Sequence, residues 1–146
     1  MKTFLKNQWW NLGIVTVALG LSLGFLGHGC GKASATAGGN IDSSVTTFDV
    51  TSVNAPSYYT LNSVDNATLT LKRGTTYTLN LSVSGHPFYI KTSNSTGTAN
   101  AYNTGVTNNG ATSGTLTFVV PAGAPNTLYY NCEFHGLMNG TINVTD

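Results

Sequence analysis

The chain has 146 residues, enough for one domain once a leader is set aside and too few for two ordinary cores. From Thr36 onward its charged side chains are Lys72, Arg73 and Lys91 against Asp42, Asp49, Asp65, Glu133 and Asp146, in a background rich in Ser, Thr, Asn and Gly. No basic stripe exists to neutralise phosphates, which argues against a nucleic-acid partner.

Residues 1–35 differ in kind from the rest. Lys2 and Lys6 precede a stretch from Leu12 to Leu26 broken only by small or hydroxyl residues, the pattern of an export leader. Its apolar part is short for a full membrane span. Three fates are open. "LGHGC", ending at Cys30, resembles a bacterial lipoprotein signal, although Gly27 and His28 depart from its usual residues. "ASA", Ala33 to Ala35, is an A-x-A site that would release a soluble protein beginning near Thr36. Retention as an uncleaved anchor is the third. Any membrane association is expected through the leader or a lipid on Cys30 alone. Residues 36–44, with Gly38-Gly39-Asn40, read as a flexible tether, and 45–146 as the domain.

Beyond the tether no helical period of useful length appears. Apolar residues alternate instead: Phe48 and Val50; Tyr59 and Leu61; Leu69 and Leu71; Tyr77, Leu79, Leu81 and Val83; Phe88 and Ile90; Leu116, Phe118 and Val120; Leu128, Tyr130 and Cys132; Ile142 and Val144. Period two with one apolar face predicts half-buried strands. "KRG" at 72–74, "SG" at 84–85 and "PAGAPN" at 121–126 carry turn chemistry, so the strands are short and antiparallel or mixed. Seven to eight strands in this length predict an all-β two-sheet sandwich, since one sheet cannot cover its own apolar face. Residues 92–114 are too polar and glycine-rich for a core strand and read as a long loop with at most a brief edge strand.

Near the C-terminus "NCEFHGLMNG" places Cys132, His135 and Met138 three residues apart. Alternation from Leu128 and Tyr130 points Cys132 inward at its strand end, and the loop after it can fold His135 and Met138 back toward the thiol. A thiolate, imidazole and thioether that converge suit copper, and two imidazoles with one thiolate and a weak axial Met form the blue-copper arrangement. The second imidazole has one source outside the leader, His86 in "VSGHPFYI". Taken singly, each residue has an ordinary reading as a turn histidine, a buried thiol or a core methionine.

At these residues the sequence resembles the cupredoxins, particularly their plastocyanin-like branch. "LTLKRGTTYTLNLSVSGHPFYI" looks like the family's pair of strands that ends in the first histidine ligand, and "GTLTFVVPAGAPNTLYYNCEFHGLMNGTINV" like its closing strand, ligand loop and terminal strand. The resemblance covers nearly everything from Val45 and implies a Greek-key sandwich holding one type 1 copper. It makes His86, Cys132, His135 and Met138 the ligands. The Cys-to-His spacing matches plastocyanins, whereas the His-to-Met spacing is two residues shorter than theirs. Where the family commonly has a backbone N–H bonded to the cysteine sulfur, this chain has Pro87, which lacks one. The Phe134 N–H is the candidate replacement. Asn131 stands where the family often has a surface tyrosine serving as a second electron port.

The resemblance implies an electron carrier outside the cytoplasm. His135 would be the electron port, rimmed by Gly136, Leu137 and Pro87, an uncharged face for brief docking of a redox protein partner onto a monomer. Multicopper oxidases and copper nitrite reductases need further histidines, and none is spare outside the leader. A mononuclear copper enzyme, an exported copper-binding protein without electron transfer and a copper-free sandwich with a binding or structural role are the alternatives.

Overall fold

A computed structural model of the chain describes residues 36–146. The leader, including Cys30 and both processing motifs, lies outside the described residues. Twelve strands succeed one another: β1 (Thr36–Ala37), β2 (Asn40–Ile41), β3 (Thr47–Thr51), β4 (Thr60–Leu61), β5 (Val64–Asp65), β6 (Thr68–Lys72), β7 (Thr76–Ser82), β8 (Phe88–Lys91), β9 (Val106–Thr107), β10 (Ser113–Val119), β11 (Thr127–Cys132) and β12 (Asn139–Thr145). One sheet has the order β1-β5-β4-β3-β7-β10-β9 and the other β2-β6-β12-β11-β8.

The period-two pattern is what makes these strands. Along β7 buried Tyr77, Leu79 and Leu81 alternate with less buried neighbours, and β3 and β12 show the same rhythm. Each apolar residue named from the alternation is buried. Phe48, Leu79 and Leu116 from one sheet and Leu71, Leu128 and Ile142 from the other belong to one core. Burial of each such side chain is worth about 1.5–3 kcal/mol, which decides the register, since a one-residue slip would turn the whole set outward. The sheets are mixed. β3 runs parallel to β7, and β6 parallel to β12, while β7–β10, β8–β11 and β11–β12 are antiparallel.

The eight alternating runs are β3, β4, β6, β7, β8, β10, β11 and β12, and four two-residue strands that carry no readable period, β1, β2, β5 and β9, add to them. The tether needs correction. β1 pairs with β5 and β2 with β6, and Ile41 enters the core. Gly38, at φ 72°, takes the left-handed conformation in which the chain leaves one sheet and joins the other. The polar 92–114 stretch is largely loop, with β9 as an edge strand against β10.

Candidate metal centre

His86 sits where the chain passes between the sheets. β7 belongs to one and β8 to the other, and Val83 to His86 forms the turn that joins them. The His86 N–H donates to the Val83 carbonyl at 2.8 Å, with Gly85 at φ 78°, a left-handed angle that glycine adopts freely. Cys132 ends β11, directly across from Phe88, the first residue of β8, which follows His86 by two residues. The chain then doubles back. The Cys132 N–H donates to the Met138 carbonyl at 2.8 Å, and the Met138 N–H to the His135 carbonyl at 3.1 Å. This closed loop brings His135 over the thiol.

Three side chains from three segments thereby converge. The Nδ1 atoms of His86 and His135 are 3.1 Å apart, and Cys132 Sγ is 3.7 Å from the first and 3.5 Å from the second. The imidazole rings are tilted by 47° with centroids 4.7 Å apart. Cys132 is buried, whereas both histidines are half-buried. Bonds of roughly 2.0 Å to nitrogen and 2.3 Å to sulfur around one trigonal ion would separate these atoms by about 3.5–3.8 Å, close to what is seen. The donor set fits as well, since imidazole and thiolate together favour copper over the oxygen-seeking cations. Burial, and then the neighbouring His135, lower the pKa of His86 and favour its neutral, ligating form.

Met138 is fully buried beside this cluster in sequence, with its backbone bonded to Cys132 and His135. Gly136 and Leu137 are exposed, Leu137 to 69 %, and Pro87 is half-buried. The Phe134 side chain, exposed to 61 %, adds to that apolar face, a role its sequence position did not signal. Among the described residues the two Nδ1 atoms lie within hydrogen-bonding range of Cys132 Sγ, and the Phe134 N–H makes no hydrogen bond to it.

Several supporting residues gave no sequence signal. The fully buried Tyr59 hydroxyl donates to the His86 carbonyl at 2.7 Å and shares its proton with the Pro87 carbonyl at 3.0 Å. Asn66 Nδ2 donates to the Leu137 carbonyl at 2.7 Å. Lys91 is buried, and its ammonium donates to the carbonyls of Ser95, Thr96 and Gly97, while the Gly97 N–H donates to the Glu133 carbonyl at 2.7 Å. Desolvation lowers the Lys91 pKa below its ordinary value. Asn131 is buried and donates to Asn94 Oδ1 at 2.7 Å, so the place of the family's second port is occupied by an internal contact.

A two-sheet all-β sandwich with a His-Cys-His cluster at the end of β11 has the cupredoxin-like fold. Among solved structures the chain is similar to reduced rusticyanin, at 22 % identity over 73 % of this chain and 84 % of that one, with a TM-score of 0.50. A methionine-to-leucine variant of rusticyanin gives 22 % identity, coverage of 74 % and 83 %, and a TM-score of 0.51. A multicopper oxidase from the hyperthermophile Aquifex aeolicus also matches, at 17 % identity over 77 % of this chain and 30 % of that one, but a TM-score of 0.44 carries no argument. No family model matches the chain, and no curated protein is similar to it in sequence. The likeness bears on the fold and does not single out the plastocyanin-like branch.

Proposed function

We propose that this chain is a type 1 copper protein that carries single electrons outside the cytoplasm. The observation that supports it is the triangle of His86 Nδ1, His135 Nδ1 and Cys132 Sγ, with sides of 3.1, 3.5 and 3.7 Å. Met138 is the proposed weak axial ligand, in keeping with its burial and its place in the loop. The Cys-to-His spacing of the plastocyanin-like branch supports the same centre.

Copper bound there would supply one-electron chemistry by passing between two oxidation states. The protein's part is to hold its donors still. Cys132 is fixed by ladder pairing to β8, and His86 by the turn between sheets. The buried thiol is screened from water, whereas the half-buried His135 ring leads toward the surface. Phe134, Gly136, Leu137 and Pro87 carry no charge, and a small apolar face of this kind suits brief docking by a redox protein. Export rests on the leader pattern, with Cys30 as the lipidation candidate and the monomer as the working unit.

Electrochemistry tests the carrier directly. The copper-loaded protein should give a reversible one-electron wave whose oxidised and reduced forms interconvert rapidly. A copper-loaded protein without such a wave would favour a storage or binding role instead. Turnover of a small substrate at the centre would favour the mononuclear enzyme.

A further inference from the structure

The three ligand-bearing segments are tied together by a fourth that is remote from them in sequence. Tyr59 lies 27 residues before His86, and Asn66 lies 71 before Leu137. The two flank the hairpin of β4 and β5, in the sheet opposite the one that carries Cys132. They are locked to each other. The Tyr59 N–H donates to Asn66 Oδ1 at 3.2 Å, and the Asn66 N–H donates to the Tyr59 carbonyl at 2.8 Å. Asn66 holds a left-handed φ of 45°, which asparagine tolerates better than most residues.

From this locked pair two bonds reach out. The Tyr59 hydroxyl engages the carbonyls of His86 and Pro87, and Pro87's carbonyl also accepts the N–H of Glu133, next to Cys132, at 3.2 Å. Asn66 Nδ2 meets Leu137, between His135 and Met138. Both donors therefore grip backbone close to the candidate ligands. The Tyr59 ring is wedged against Phe88 at 5.0 Å and Tyr130 at 6.2 Å, so the hydroxyl has little freedom to move. A chain with Pro87 cannot fix this turn through an N–H at that residue, and the carbonyl side is the one left to hold.

We propose that Tyr59 and Asn66 are positioning residues that hold the His86 segment and the 133–138 loop at the spacing the metal needs. The inference rests on the copper reading for its purpose and on the metal-free geometry for its mechanism, and the two can fail separately.

The full chain carrying Tyr59→Phe, and separately Asn66→Gly, which keeps the left-handed backbone, should release copper roughly 10- to 100-fold more readily and shift its visible and electron-spin-resonance spectra. Tyr77→Phe is the control. Tyr77 is as buried as Tyr59, and its hydroxyl accepts from the Lys72 N–H at 2.8 Å and donates to the Ser43 carbonyl at 3.3 Å, in segments that carry no candidate ligand. This variant should lose stability and keep the wild-type affinity and spectra. If all three variants melt lower while copper affinity and spectra stay put, Tyr59 and Asn66 are supports of the fold alone and the proposal is overturned. Should the wild type take up no copper, the copper reading fails, and metal-free crystal structures still decide the positioning role. In metal-free Tyr59→Phe or Asn66→Gly the Nδ1 atoms of His86 and His135 should depart from their 3.1 Å spacing, and an unchanged triangle in both would contradict it.

Discussion

The two ends of the sandwich solve one problem with different materials. At the end where β11 starts and β12 finishes, Arg73 reaches Asp146 at 2.9 Å, the Ala124 carbonyl at 3.0 Å and Asn126 Oδ1 at 2.5 Å, and Asp146 is 95 % exposed. At the end where β11 finishes, the connections near the candidate centre are held by buried Tyr59, half-buried Asn66 and buried Lys91. An exposed ion pair shares its attraction with water, whereas a buried donor aimed at a carbonyl holds position because losing the bond strands a polar group. The first end has internal ties of its own, the buried Tyr77 hydroxyl on the Lys72 N–H at 2.8 Å and Arg73 on the Ala124 carbonyl, but only at the second do Tyr59 and Asn66 aim theirs at the segments that carry the candidate ligands.

The largest effect expected is on the centre itself. Cys132→Ser should abolish the copper–thiolate colour while the sandwich still folds, as read by visible absorption beside circular dichroism. A variant that keeps the colour would remove the contrast between the ends, because the thiol would then have no special task. Next comes Gly140→Ala. A Cβ there would overlap the Tyr130 hydroxyl, which is pinned to the Ala67 carbonyl, so thermal unfolding should show a loss of about 3 kcal/mol.

Lys91→Met should cost about 2 kcal/mol, because three loop carbonyls lose a charged donor, and the Ser95–Gly97 segment should exchange its amide hydrogens faster. No measurable loss would mean that this end is not held as described. The smallest effect belongs to the other end. Asp146→Asn should change stability by less than about 0.5 kcal/mol, and added salt should erase even that.

The physics of each feature decides whether it is legible in the letters. The alternation from Phe48 to Val144 marks strands because one residue in two must be buried, and that periodicity survives in the sequence. The turns at Lys72–Gly74, Ser84–Gly85 and Pro121–Ala124 are legible through glycine and proline, whose backbone limits are local. His86, Cys132 and His135 stand out because scarce metal-binding side chains fall at meaningful spacings. Tyr59, Asn66 and Lys91 do not, since each acts through a bond to a backbone carbonyl distant in sequence or in a loop, and carbonyls are the same in every residue. The two-residue strands β1, β2, β5 and β9 are too short to express a period, and pairing partners supply their order instead.

One titration bears most directly on the centre. Copper(II) added to the metal-free full chain should bind at one equivalent and develop an intense blue absorption with the narrow parallel hyperfine splitting of a copper–thiolate bond, both lost in Cys132→Ser. A wild-type protein that stays colourless and takes up no copper would contradict the account, whatever the proximity of His86, Cys132 and His135.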